Sequence, residues 1–335
     1  MGVLFLKSGL MTTVQDFGRT GFQKYGFSVS GAMDIRSVQI ANMLVDNPEH
    51  EAVLEFMLVG PTVKFTSDTI IAITGGDFNP HINGEPVPMY TAIYAKKGDV
   101  LELTFARTGI WGYMSFSSKL DVPVVMGSRS TNIKCEMGGF HGRNIRKDDQ
   151  IWFRAKKRYI PSFLSRTIQP EDFSSPVKTI RVIQGPQDEY FTKAGLNTFY
   201  NEEYVVTAEA DRMGFRLDGP VIEHKVGADI ISDGIPLGAI QVPSHGKPII
   251  MLADRQTTGG YAKIGTVATV DIPNLVQSRE GTRIRFKKIS VKEAQILYKE
   301  QEQEYDSIRE MIHRPCREVI SPRITSKRIM KLFED

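Results

Sequence analysis

A strand-like apolar run that ends in a polar, glycine-rich loop sets the pattern of this sequence. Residues 248–261 read PIIMLADRQTTGGY. A short apolar run bounded by turn residues is typical of a buried strand. Asp254 and Arg255 are neighbours, so in an extended chain they point to opposite faces and do not pair with each other. Local chemistry leaves two interpretations of 253–261 open, a structural loop and a binding site.

The rest of the chain repeats this pattern of short strands broken by Gly, Pro, Asn and Asp. Asn83-Gly84 is a strong hairpin signal. Strands at such short spacing predict a mainly β fold of sandwich or barrel type. Helices are few: 34–46 with Asp34 as N-cap, and 290–313 opened by the capping box Ser290-x-x-Glu293. Weaker helix signals lie near 187–199 and at 272–279.

An internal similarity predicts two related halves. Residues 16–22, DFGRTGF, are matched later by 211–215, DRMGF. Each is followed by apolar strands, and one strand end in each half is polar: 74–77, TGGD, and 253–254, AD. We expect an N-terminal half at 1–160, a proline-containing connection at 156–178, a C-terminal half at 179–289, and a C-terminal helix and basic tail at 290–335.

Composition excludes several classes of protein. The 335 residues are 41% hydrophobic and 24% charged, with a net charge of +3, which fits a folded globule and makes no case for a nucleic-acid partner. The two cysteines lack CxxC spacing. No secretory signal and no apolar run near the roughly 20 residues of a membrane span is present. We expect a cytoplasmic protein that contacts neither membrane nor nucleic acid.

Common catalytic motifs are missing. The sequence has no P-loop, HExxH, GxSxG or GxGxxG motif, and its six histidines are scattered, so no metal site is expected. Two other loops remain as candidates. Residues 26–34, GFSVSGAMD, lead into a helix N-terminus that either binds an anion or is simply capped by its own side chains. In 126–131, MGSRST, Arg129 either meets an anion or ties down the loop.

Several longer motifs carry a resemblance to a known family. They are 13–21 (TVQDFGRTG), 30–34 (SGAMD), 73–77 (ITGGD), 123–131 (PVVMGSRST), 211–214 (DRMG), 238–243 (GAIQVP) and 253–261 (ADRQTTGGY). Together they resemble the KipA family, also described as allophanate hydrolase subunit 2 or the biotin-dependent carboxyltransferase family, and its bacillus-type members above all. The resemblance implies a fold of two tandem cyclophilin-like β-barrel halves.

The resemblance also implies a function and partners. KipA-like chains form the C component of an ATP-dependent 5-oxoprolinase, with a KipI-like B component and a LamB/YcsF-like A component, and the complex opens 5-oxo-L-proline to L-glutamate. ATP and Mg²⁺ are expected at the level of that complex. Two alternatives stay open: a regulatory anti-inhibitor that binds KipI and relieves inhibition of a sporulation histidine kinase, and a carboxyltransferase component acting on urea or allophanate, which alone would involve biotin.

Both 5-oxoproline and urea are small amides, so the site needs donors for the developing negative charge on oxygen. We expect Asp254 to orient an amide N–H, bind Mg²⁺ or act as a base, with donors from Arg255, Gln256, Thr257 and Thr258. Substrate or phosphate binding is expected of a wider set: Ser30, Gly31, Asp34, Gly75, Gly76, Asp77, Arg129, Gly259, Gly260 and Tyr261.

Overall fold

The computed structural model describes residues 1–157 and 159–314, and these form a mainly β molecule with few helices. This confirms the predicted fold class. The N-terminal strands are β1 Gly2–Lys7, β2 Met11–Gln15, β3 Val53–Met57, β4 Thr62–Phe65, β5 Thr69–Gly75, β6 His81–Ile82, β7 Glu85–Pro86, β8 Ile93–Ala95, β9 Val100–Glu102, β10 Trp111–Phe116 and β11 Gln150–Trp152. The C-terminal strands are β12 Val177–Gln184, β13 Glu203–Val206, β14 Gly214–Asp218, β15 Asp229–Gly234, β16 Ala239–Gln241, β17 Ile249–Met251, β18 Thr258–Tyr261, β19 Lys263–Val267 and β20 Arg283–Ile289.

The N-terminal half consists of two sheets packed across one core. One has the strand order β11-β1-β4-β9-β6-β7 and the other β2-β3-β10-β5-β8. Alternation along each strand sends every second side chain into the space between the sheets, where Phe5, Phe56 and Phe116 are buried. The opposite face of β3 and β10 therefore presents Glu55, Trp111 and Tyr113 to the rest of the molecule.

The C-terminal half closes into a seven-stranded barrel of order β12-β19-β16-β17-β14-β13-β20. Its closure is made by β12, which pairs antiparallel with β19 and parallel with β20. Closure gives every barrel strand a neighbour on both sides. Strands β15 and β18 form a separate two-stranded ribbon outside the barrel.

The helices begin and end close to the predicted positions. They are α1 Ile35–Leu44, α2 Lys193–Asn201, α3 Ile272–Val276 and α4 Val291–His313. Asp34 caps α1 by accepting from the Ser37 amide, and Ser290 with Glu293 forms the capping box of α4. Although α4 follows the barrel in sequence, its buried side chains pack on the first half, beside α1. The predicted basic tail beyond residue 314 lies outside the described residues.

The two halves share one hydrophobic cluster. Met33, Trp111 and Tyr113 from the first half pack with barrel residues such as Leu252 and Ile272. The contact between the halves is thus a buried core, which fixes their relative position. The domain boundaries set out above stay a prediction. No helix in the described part of the chain combines the length and the apolar character needed to cross a bilayer.

Candidate functional site

A buried ion network joins the two halves at residue 254. The Arg212 guanidinium donates to the Glu55 carboxylate from the first half and, through Nε at 2.8 Å and Nη2 at 3.2 Å, to Asp254 from the second. Nη2 also donates to the Gly31 carbonyl at 2.6 Å. A planar guanidinium suits such a fork because its five N–H groups lie in fixed directions.

Burial sets the electrostatics of this network. Loss of water raises the pKa of the Glu55 carboxyl, although Arg212, the Met33 amide and the Tyr113 hydroxyl act against the shift. Burial also disfavours the Arg212 cation, but the two carboxylates together raise its pKa above the ordinary value. Both Asp254 oxygens are therefore held by a cation. In this geometry Asp254 positions the segment 253–261.

The 26–34 loop meets this network, as the paired polar loops of the sequence suggested. Its Gly31 carbonyl accepts from Arg212, and Ser28 Oγ donates to the Arg255 carbonyl at 2.8 Å. Asp34, however, is occupied as a helix cap and by Gln277 Nε2 at 3.0 Å. The capping interpretation of Asp34 thus describes its contacts, while Ser30 faces a cavity described below.

A groove of 540 Å³ runs between the ribbon β15–β18 and the outer face of the barrel. Gln256 and the strand β18 form one wall, and the floor includes Met251 and Gly214. This volume is typical of small-molecule sites. The groove gathers five of the predicted site residues: Gln256, Thr258, Gly259, Gly260 and Tyr261.

Gln241 gives the groove its distinctive chemistry. The side chain is 4% exposed, it lines the groove, and its Nε2 has no hydrogen-bond partner among the described residues. A buried amide donor left unpaired costs about 1–3 kcal/mol, so such a group in a native fold calls for an explanation. An oxygen acceptor on a bound molecule would satisfy it.

Carboxylates lie on the same groove. Asp229 borders it, and its carboxylate accepts no hydrogen bond within residues 1–157 and 159–314. Asp211 also lines it, but one of its oxygens is already held by the amides of Met213 and Gly214. The groove thus offers both an amide donor at Gln241 and a carboxylate acceptor at Asp229, which match the two polar groups of an amide.

Arg255 lies on the other side of the chain from this groove. Its Nε donates to the Ile235 carbonyl at 2.9 Å and Nη1 to the Leu252 carbonyl at 3.1 Å. Burial lowers the pKa of its guanidinium. The expectation that Asp254 and Arg255 do not pair is confirmed, because Asp254 pairs with Arg212 instead. Thr257 contributes its carbonyl to the Ile235 amide.

The remaining predicted residues serve turns away from the groove. Gly75 has φ +88°, and its amide is not free for a ligand because it donates to the Tyr90 hydroxyl at 3.0 Å. The Gly76 amide donates to the Trp111 carbonyl, and the Asp77 carboxylate accepts from the Asn79 amide at 2.9 Å. Arg129 Nε donates to the Val122 carbonyl at 3.1 Å, which is the loop-tying alternative.

Four residues of the site region were not predicted as site residues. Gln241 and Arg212 stood inside family-like motifs, and Glu55 is the one acid in the otherwise apolar strand VLEFM, a signal that was available. Arg19, also in a motif, is fully buried with Nη2 on the Ser130 carbonyl and with Nε and Nη1 unpartnered among the described residues. Burial lowers its pKa.

Comparison with known proteins places the chain among relatives that share its whole length. It is 32% identical over 303 residues to the C subunit of 5-oxoprolinase from Haemophilus influenzae, covering 90% of this chain and 95% of the relative. It is 32% identical over 308 residues to the C subunit of 5-oxoprolinase from Escherichia coli, covering 92% and 98%. The K. lactis urea amidolyase structure superposes with a TM-score of 0.84 at 27% identity, over 92% of this chain and 20% of that one.

A family model described as "Carboxyltransferase domain, subdomain A and B" matches residues 25–288. This range contains the ion network, the groove and both polar loops. The resemblance read from the sequence motifs is thereby confirmed. The chain belongs to this carboxyltransferase domain family, whose members include the C components of 5-oxoprolinases and the corresponding region of urea amidolyases.

Proposed function

We propose that this chain is the C component of an ATP-dependent 5-oxoprolinase and that the groove beside β18 binds the lactam. It acts with a KipI-like B component and a LamB/YcsF-like A component, and the product is L-glutamate. The observation that carries the proposal is the buried, unpartnered Nε2 of Gln241 on the groove, free of any partner among the described residues. The two bacterial relatives named as C subunits of 5-oxoprolinase support the same assignment.

The polar groups of a lactam suit this groove. Its carbonyl oxygen accepts from Gln241 Nε2, and that hydrogen bond strengthens as negative charge develops on the oxygen. Its N–H donates to a carboxylate, for which Asp229 is available on the groove. The backbone at Gly259 and Gly260 carries no side chain, which lets the ring lie close to β18.

Asp254 contributes through position. Because Arg212 holds both of its oxygens, it anchors the start of the segment that carries Gln256 and β18. Loss of this anchor moves the groove wall even though the Asp254 carboxylate does not touch the lactam. We therefore replace the sequence-based role of Asp254 as base with a positioning role.

The nucleotide and its Mg²⁺ are assigned to the assembled complex. Within residues 1–157 and 159–314 no group of three or more His, Cys, Asp or Glu side chains is placed to hold a metal ion. In this proposal the partner chains therefore supply ligands for Mg²⁺, and this chain binds and orients the lactam.

The test is reconstitution with the A and B components and an assay of 5-oxoproline-dependent ATP hydrolysis. Gln241→Leu should lower turnover at least about 100-fold, the usual effect of losing one oxyanion donor. The isolated variant should be as stable as the parent or about 1 kcal/mol more stable, because an unpaired buried donor is removed. Gln303→Leu, on the exposed face of α4, is the control and should keep full turnover. Unchanged turnover in assembled Gln241→Leu complexes contradicts the proposal.

A second candidate is a carboxyltransferase component that acts on urea. The structural likeness to K. lactis urea amidolyase favours it. The same assay separates the two: turnover with urea alone, and only when a biotin carrier is supplied, overturns the 5-oxoprolinase assignment.

A further inference from the structure

A second cavity lies on the opposite side of the 252–258 segment from the groove. It measures 310 Å³ and is enclosed by both halves of the molecule and by α4. Leu252, Ala253 and Arg255 line it, whereas Gln256 and Thr258 line the groove. The two spaces are thus separate, with one segment of chain as a shared wall.

The lining of this cavity is mostly apolar. Hydrophobic side chains come from both halves, from α3 and from α4: Phe17, Met33, Leu237, Ile272, Tyr298 and Tyr305. A dry apolar cavity of roughly 150 Å³ can hold benzene, so a space about twice as large suits a body of roughly eight to ten carbon atoms.

One buried cation in the lining has no acidic partner in the described part of the chain. Arg255 is 7% exposed and donates there only to the carbonyls of Ile235 and Leu252, which leaves its Nη2 without a hydrogen-bond partner. A buried charge is normally paired because its transfer from water is costly. Arg255 is therefore a cation whose counter-charge is not supplied by residues 1–157 and 159–314.

Other charged groups on the cavity do not fill this need. Arg36 is paired with Glu171 and with Glu304. Glu302 lies on the α4 side and adds a negative charge that disfavours a second acidic group on a ligand. Ser30 Oγ accepts from Asn132 Nδ2 at 3.1 Å, which leaves its hydroxyl proton free to donate.

We propose that this cavity binds a small monocarboxylate with an apolar body, its carboxylate on Arg255 and Ser30 and its body among the side chains from α3 and α4. A guanidinium can meet a carboxylate with two N–H groups, which gives both charge compensation and direction. Because Arg255 follows Asp254 directly, an occupied cavity also stiffens the wall that the groove uses.

The test is calorimetric titration of the full chain, without partner chains or ATP, using 3-phenylpropionate and its uncharged analogue 3-phenylpropionamide. The carboxylate should bind at least about tenfold tighter than the amide, as expected for a charge-assisted bidentate contact. Arg255→Gln should abolish that preference and Arg255→Lys should keep part of it. Equal binding of the two probes, no binding of the carboxylate at millimolar concentration, or a preference that survives in Arg255→Gln overturns the proposal.

Two further variants keep the result independent of folding at Arg255 and of the groove. Leu237→Trp fills the cavity from its far wall and should abolish binding of both probes while Arg255 is intact. Gln241→Leu changes only the groove and should leave binding of 3-phenylpropionate close to that of the parent chain. If Leu237→Trp binds normally, or Gln241→Leu loses the probe, the ligand is not in this cavity. These results do not depend on the lactam assignment.

Discussion

The turn at 74–77 and the segment 253–261 begin from similar sequence and end in different uses. Both follow a buried apolar strand, and both carry an acid and paired glycines. In the first, a Cβ on Gly75 would lie 2.3 Å from the Trp111 carbonyl oxygen and one on Gly76 would lie 2.6 Å from the Thr108 carbonyl oxygen. In the second, a Cβ on Gly260 would meet nothing closer than 3.5 Å.

The glycines therefore have different physical reasons. At 75–76 they allow backbone to pack directly on backbone, which closes the space a ligand would need. At 260 the glycine keeps a groove open beside β18. A glycine-rich strand end predicts close approach of something, and only the surrounding chain decides whether that is the protein itself or a ligand.

The largest effect is expected at Arg212, which holds the 253–261 segment to the first half. Arg212→Ala leaves Glu55 and Asp254 buried without their cation and should lower the free energy of unfolding by about 3–5 kcal/mol. Urea denaturation followed by circular dichroism measures this. Arg216→Ala, an exposed arginine paired with Glu209, is the control, with an expected change of at most about 1 kcal/mol. Equal losses in the two variants would show that the network does not join the halves.

The next effect separates the two kinds of glycine. Gly75→Ala should destabilise by more than the about 1–2 kcal/mol of a left-handed backbone, because its Cβ also meets the Trp111 carbonyl. Gly84 has nearly the same φ, +87°, with nothing within 4 Å of its Cβ, so Gly84→Ala reports the backbone cost alone. The same denaturation assay compares them. Similar losses would remove the argument that packing requires Gly75.

A pH effect tests how dry the 74–77 side is. Burial beside Phe173, which also packs near Gly109, lowers the pKa of Lys178 to about 8. Between about pH 8 and the ordinary pKa of 10.5 the unfolded chain holds the proton more tightly, so stability from this group rises with pH by up to about 1.4 kcal/mol per unit. Unfolding free energies at about pH 7.5 and 10, on either side of most of that interval, measure it. Lys178→Met should lose this rise, and a parent chain without the rise relative to Lys178→Met argues against a buried lysine.

The smallest effect on stability is expected at the groove. Gly260→Ala has room for its Cβ and should change the unfolding free energy by less than about 1 kcal/mol. Because the methyl group enters the groove, 5-oxoproline-dependent turnover of the complex should still fall, mainly through a higher KM. Gly234→Ala, on the partner strand with open space around it, is the matched control and should leave KM unchanged. An unchanged KM in Gly260→Ala would place the lactam elsewhere.

Sequence patterns were sufficient where the physics is local. Alternating short strands, Asp34 as N-cap and the Ser290 capping box depend on neighbours within a few residues, and all three are confirmed. The 26–34 and 253–261 loops were predicted only as two separate candidates. Their meeting depends on Arg212, which reaches Gly31, Glu55 and Asp254 from distant parts of the chain.

The sequence by itself determined the mainly β class, the helix ends and the family, because hydrophobic alternation, caps and long motifs are written in consecutive residues. Only the tertiary structure decided what the polar residues of 253–261 do. It sent Asp254 to a buried cation, Arg255 to a cavity and Gln256 to a groove with Gln241. That division follows from which side of one short segment each residue faces and from charges supplied by the other half.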